Sequence, residues 1–341
     1  MSDDPVRTVL WMVRGAWITM ALRGACVLGV FDVLHEPLTP QEVAARTASD
    51  PPTMERLLRL LVDLGLVEPV GSATYRNTAL GAVLVEDHPS RLRDLVLMQA
   101  AVPNLAAWGA LEDAVRTGAG TYERVNGVPH WTSLAQDPEA QRRFNASMAR
   151  RASGQVAALL AATELAETSL VDIGGGRGAM LMGLLEAVPS LTGVVADQPA
   201  VVAEAETVFA SAGLTDRASG VPCDFFVAVP EGGDVYTISN VLHDWGDDEA
   251  TAILRTVRAA MPDHARLLVI EHVLDAPGRP PAELRDLHLV DLHMLVMFGA
   301  RERTQEEYDA LLTGAGFTTS RLAEPASEWN VLEARPADRP E

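Results

Sequence analysis

His243, in the run VLHDWGDDEA, is the side chain best suited to moving a proton. Unperturbed imidazole titrates near pH ~6.5, so at neutral pH it can take a proton from a phenol or an alcohol. It lies just past an apolar segment, residues 234–239, that reads as a strand. In open α/β sheets, ligands collect beyond the carboxyl ends of strands. Two carboxylates are candidates to hold its Nδ1–H and leave Nε2 free: Glu271 at the end of LLVIE and Glu302 in GARERT. For Glu302 the plainer alternative is ion pairing with Arg301 or Arg303.

Such a base needs a docked partner, and the run LVDIGGGRGAMLMGLLEAVPSLTGVVADQPAVV, residues 170–202, provides one. A short apolar strand ends at Asp172, glycines follow, helical spacing resumes over 179–188, and a second strand, 191–196, stops at Asp197. This is a βαβ half-unit with a glycine-rich turn and an acid at each strand end. Glycine lets the backbone turn sharply and approach a ligand. Asp197 stands where an acid can hydrogen-bond a ribose diol. Asp224-Phe225, at a third strand end, offers a carboxylate to an adenine amine and a ring to its face, and Ser239 ends the next strand. The pattern implies an adenosine-bearing cofactor. A nicotinamide fingerprint would need a third glycine at position 179, where alanine stands. A lysine-dependent phosphate loop is excluded, because the chain contains no lysine.

The 341 residues suffice for two domains and a sizeable core. A formal net charge of −20 argues against nucleic acid and anionic membrane surfaces as partners. The acidic start, MSDD, is unlike a signal peptide, and no uninterrupted apolar run is long enough to span a bilayer. Two cysteines, Cys26 and Cys223, give neither a disulfide framework nor metal spacing, so the expected location is the cytoplasm.

These elements need a scaffold. Residues 6–34 read as one helix. In 38–84, Thr39 caps a helix with Pro40 in its first turn and Glu42 three residues on. A second helix spans 53–64, and strands 66–69 and 73–76 flank a Gly71-Ser72 turn, the order of a winged helix-turn-helix. Four arginines against five acids in 38–84 leave no basic excess, so packing or dimerisation is expected over DNA reading. Residues 91–165 read as helical. Further strands fit 266–271, 318–322 and 330–334, with helices at 247–260, 282–297 and 304–315. Asp286, His288, Asp291 and His293 invite a metal reading, but on a helix His293 points away from the face shared by 288 and 291, so no metal is expected. Met294, Met297 and Phe298 suit an adaptable pocket for a flat apolar substrate.

DIGGGRG, the acid in ADQPAVV, CDFF, VLHDWGDDEA, the glutamate of LLVIE and GARERT followed by AGF together resemble the caffeate-type O-methyltransferases, S-adenosylmethionine-dependent enzymes of plant phenolics and bacterial aromatic natural products. The resemblance spans nearly the whole chain. It implies an α/β fold, with a Rossmann-like, mostly parallel sheet preceded by a mainly α winged-helix dimerisation domain, divided as 1–100 and 101–341. It implies S-adenosylmethionine held by Gly174, Asp197, Asp224, Phe225 and Ser239, with His243 as proton acceptor oriented by Glu271 and Glu302. Phe144, Asn145 and Met148, in FNASM, resemble the family's acceptor-lining helix; Asp244, Met294 and Met297 complete the expected acceptor contacts. A homodimer with the helices before residue 35 intertwined is implied as well. Cys223, Ala300 and Ser239 stand where the family commonly has glycine, glycine and, in plant members, lysine. The alternatives are a hydroxylase or decarboxylase on the same fold, and a ligand-sensing winged-helix regulator.

Overall fold

The computed structural model describes residues 4–166, 168–323 and 328–338. The chain forms two compact units, one comprising residues up to 105 with 134–150, the other 106–133 with the chain from 151 onward. A division at a single boundary near residue 100 therefore does not capture the arrangement, because 134–150 return to the first unit.

In the first unit the expected single helix over 6–34 is three: Pro5–Val13, Gly15–Leu28 and Val30–Val33. The last break falls at Gly29, whose φ of 71° is cheap only for glycine. Pro5–Val13 buries none of its side chains, leaving Val9, Trp11 and Met12 exposed, and Trp17 on the next helix is 69% exposed. Thr39 and Glu42 close a reciprocal capping box at the start of Pro40–Arg46, and Asp50 caps Pro51–Asp63 through the Thr53 N–H at 2.9 Å; each such cap contributes about 1 kcal/mol. Strands β1 (Val67–Val70) and β2 (Thr74–Asn77) pair antiparallel around Gly71, and Leu38 bridges to Tyr75 as a short third rung. The core gathers Phe31, Leu34, Val43, Met54, Leu58 and Leu61. Helix Pro138–Ala149 packs on Leu92–Gln99, with Arg142 reaching the buried Asp94 at 3.3 Å.

The second unit is built on seven strands: β3 (Ser169–Ile173), β4 (Thr192–Asp197), β5 (Ala218–Pro222), β6 (Val235–Ser239), β7 (Arg266–Glu271), β8 (Arg321–Leu322) and β9 (Asn330–Ala334). Their order is β5-β4-β3-β6-β7-β9-β8, parallel except for β9, which pairs antiparallel with both β7 and β8. Helices cover both faces, so the central strands are apolar on both sides. Along β7, Leu267 and Val269 enter one core, while Leu268 and Ile270 enter the other. Strand order reverses at β3, so the crevice for a ligand opens between the carboxyl ends of β3 and β6. The helix Asp247–Ala260 after β6 begins with Asp247, Asp248 and Glu249, acids that suit the positive end of the helix dipole.

Candidate active site

The glycines after β3 do three different jobs. Gly174, at φ 67°, donates its N–H to Ala196 O at 2.8 Å; a Cβ there would lie 2.7 Å from Val241 Cγ2, beyond the end of β6. Gly178, at φ 76°, lets the helix Ala179–Ala187 press on Phe209, whose Cζ a Cβ would meet at 2.4 Å. Gly176, at φ 59°, faces open space, and its N–H points to Asp197 Oδ2 at 2.9 Å. The other Asp197 oxygen accepts from Gln198 N–H at 2.7 Å. Burial raises the Asp197 carboxyl above its ordinary value, and these two N–H groups oppose that. Behind the loop, Asp172 is buried; Thr237 Oγ1 donates to one of its oxygens at 2.8 Å and the other has no partner. Burial, with a smaller push from Asp197 and against the Thr237 bond, lifts the Asp172 carboxyl to about 7.

Asp224 is exposed in the turn after β5, with Oδ1 accepting from Phe226 N–H at 3.0 Å. Phe225 is half-buried, within 3.9 Å of where a Gly174 Cβ would sit, and stands edge-on to Trp245 at 6.1 Å between ring centres. The Ser239 hydroxyl is engaged within the protein: Gln155 Nε2 donates to it at 2.9 Å, and it donates to Ile270 O at 3.3 Å. Gly174, Asp197 and Phe225 thus converge on one crevice, and open space over Gly176 with a carboxylate beside it fits an adenosine-bearing group.

His243 sits on a single 3-10 turn, Leu242–Asp244, just after β6, and is 4% exposed. Its Nδ1 lies 2.8 Å from Glu302 Oε1 and 3.7 Å from Glu271 Oε2. Glu302 therefore holds the ring, which leaves Nε2 as the free face, 3.6 Å from Asp244 Oδ1. Glu271 does something else: its Oε1 accepts the backbone N–H groups of Val241 and Leu242 at 3.0 and 2.9 Å, pinning the turn itself. Neither Arg301 nor Arg303 pairs with Glu302; both go to Asp247 at 2.8 Å. The Glu302 N–H is held by Asp291 Oδ1 at 2.9 Å.

Burial alone would lower the His243 pKa, but the carboxylates of Glu271, Glu302 and Asp244 outweigh it and raise the pKa to about 10. Burial pushes Glu271 up to about 7 and Asp244 up to about 6 against the pull of His243. Glu302, despite burial, is held below the ordinary carboxylate range by His243. His243, Glu271 and Glu302 also offer ligand-type atoms within 4.8 Å of one another, but Nδ1 and Glu271 Oε1 are already engaged in hydrogen bonds.

The four candidates on the 281–298 helix do not converge: Asp286 and His288 are exposed, Asp291 holds the Glu302 N–H, and His293 Nδ1 accepts from the Trp108 indole N–H at 3.0 Å. Met294 and Met297 are buried, Met297 against Ala107, Tyr122 and Val296. Phe144, Asn145 and Met148 lie half-buried on Pro138–Ala149 in the first unit, where Gln141 Nε2 donates to Asn145 Oδ1 at 2.9 Å. Gln155 and Trp108 carry no signal in the sequence, and Asp291 stands out there only as a metal candidate, not as the partner of Glu302 N–H. Each acts through a bond to a residue 11 to 185 positions away, and no local pattern announces that.

The profile of the O-methyltransferase domain matches residues 108–318, and that of the O-methyltransferase dimerisation domain matches 11–87. The chain is 39% identical over 336 residues to the mitomycin biosynthesis 6-O-methyltransferase of Streptomyces lavendulae, covering 97% of this chain and 94% of that one. It is 36% identical to the phenazine O-methyltransferase of Lysobacter antibioticus, covering 96% and 95%. Among solved structures, an O-methyltransferase from neocarzinostatin biosynthesis, in complex with S-adenosylmethionine and 2-hydroxy-5-methyl naphthoic acid, superposes with a TM-score of 0.80 at 32% identity, covering 94% of this chain and 96% of that one. The glycine loop after β3, the carboxylate ending β4 and the buried histidine after β6 therefore belong to a member of the O-methyltransferase family, an S-adenosylmethionine-dependent enzyme that carries the family's dimerisation domain.

Proposed function

We propose that this enzyme methylates a phenolic hydroxyl of an aromatic small molecule in natural-product biosynthesis, with His243 as general base. The observation that carries the reading is the 2.8 Å bond from His243 Nδ1 to Glu302: in the neutral ring it keeps the proton on Nδ1 and leaves Nε2 as acceptor. S-adenosylmethionine, when bound, supplies a methyl group already activated on a positively charged sulfur. Gly174, Asp197, Asp224, Phe225 and Ser239 are the residues proposed to hold it. Orientation of the reacting groups can contribute up to roughly 7–11 kcal/mol, and a positioned base typically adds about 10²–10⁴-fold. Glu302 stabilises the imidazolium that forms as Nε2 takes the proton, Glu271 keeps the turn in register, and Asp244 borders the free nitrogen.

An aromatic acceptor is supported by the names of the relatives, which act on mitomycin, phenazine and naphthoate frameworks, and by the buried Met294 and Met297. Phe144, Asn145 and Met148 are proposed as acceptor contacts on the resemblance of FNASM alone. The exposed apolar side chains of Pro5–Val13 and Gly15–Leu28 support a homodimer formed through the dimerisation domain, and the two free cysteines suit the cytoplasm. Incubation with a panel of phenols and methyl-labelled S-adenosylmethionine tests the reading: product mass spectrometry should show a gain of one labelled methyl. Gain of oxygen or loss of a carboxyl group would establish the hydroxylase or decarboxylase alternative instead.

A further inference from the structure

Arg303, a cation of the second unit, has no role in the chemistry described above. Its side chain is wholly buried, and it makes four hydrogen bonds. Nη1 donates to Leu242 O at 2.8 Å, and Nη2 donates to Trp245 O at 2.8 Å, so the guanidinium grips carbonyls on either side of His243. Nε and Nη2 also donate to Asp247 Oδ1, at 3.1 and 2.8 Å, which ties the same group to the first residue of the next helix. Its own carbonyl accepts from Leu274 N–H at 2.9 Å, and Arg303 bridges to Val273, anchoring it to the continuation of β7 two residues past Glu271. Residue 302, its neighbour, is the one that holds the His243 ring.

We propose that Arg303 is a positioning residue for His243: it fixes the backbone of the 242–245 turn from the carbonyl side, as Glu271 does from the N–H side, so that Nδ1 stays on Glu302 and Nε2 stays aimed at the acceptor. A planar five-donor fork suits this task, since it can meet two carbonyls and a carboxylate at fixed angles. Lysine, a single point of charge, can satisfy one side at a time. The inference rests on His243 being the base.

The test is a double-mutant cycle read by single-turnover methyl transfer in the full-length enzyme, with cofactor affinity measured by calorimetry. Arg303→Met should slow transfer about a hundredfold, the scale of a catalytic group displaced by about 1 Å, with cofactor affinity changed less than about threefold. Arg303→Lys should recover part of that loss. In a His243→Ala background the same substitutions should cost almost nothing further, because there is no base left to misplace. The alkaline position of the pH–rate limb should also move to lower pH in Arg303→Met, since a displaced imidazole loses the carboxylate that raises it. Should Arg303→Met fail to fold, Asp247→Asn at the exposed end of the clamp decides, with a loss of roughly three- to tenfold expected only when His243 is present. An equal loss in both backgrounds, or native turnover and pH profile in a folded variant, overturns the clamp. Full turnover by His243→Ala alone would instead overturn the base assignment.

Discussion

Glu302→Gln isolates the charge on the carboxylate that holds His243. The carboxamide oxygen of glutamine can still accept from Nδ1–H, so the tautomer survives and only the negative charge is lost. The bond is 2.8 Å long between two buried groups. A hydrogen bond to a charged group contributes about 1.5–3 kcal/mol. At about 1.4 kcal/mol per decade, the substitution should lower the His243 pKa by roughly one to two and slow transfer roughly ten- to hundredfold. The sign follows from the cluster. Glu271, Glu302 and Asp244 raise His243 to about 10, so in the native enzyme the base form accumulates as pH rises and the rate should climb into the alkaline range. Removing one of the three charges lowers that pKa, and the limb moves to lower pH while the plateau falls. The assay is kcat against pH with labelled cofactor at saturating acceptor. A limb that stays in place, or a plateau within twofold of wild type, would refute the electrostatic role given to Glu302.

Three further outcomes follow from the same structure. Gly174→Ala places a Cβ at φ 67° and 2.7 Å from Val241, a strain of about 1–2 kcal/mol before the clash. It should weaken cofactor binding measurably by calorimetry, whereas Gly176→Ala, strained but facing open space, should cost folding stability less. Asp172 binds a proton more tightly when folded, with its carboxyl at about 7 against an ordinary value near 4; its contribution to stability therefore falls as pH rises from about 4 through about 7, and Asp172→Asn should flatten the decline of the thermal midpoint over that window. Trp17→Glu, on the exposed apolar face of Gly15–Leu28, should convert the proposed dimer to a monomer by light scattering, and an unchanged molar mass would discard that face as the interface.

The alternation of short strands and helices was legible from residue 170 onward because each period is local: β3, β4, β6, β7 and β9 lie within a residue or two of where apolar runs and acids place them. The capping box at Thr39 was equally plain, since all its atoms come from four consecutive residues. What the sequence could not reveal is which partner each buried group chooses. Glu271 and Glu302 were equal candidates to orient His243, and only the packed turn shows that one holds the ring while the other holds the backbone. Arg301 and Arg303, adjacent to Glu302 in sequence, turn instead to Asp247. The break at Gly29 was missed because apolar spacing continues through it, and the return of 134–150 to the first unit was missed because it depends on tertiary packing with Leu92–Gln99.

Single-turnover methyl transfer by His243→Ala, measured beside its affinity for S-adenosylmethionine, tests the role of His243 most directly. The geometry predicts cofactor binding within a few-fold of wild type and transfer slowed by about 10²–10⁴-fold. Transfer at the wild-type rate with the cofactor bound as tightly would contradict it.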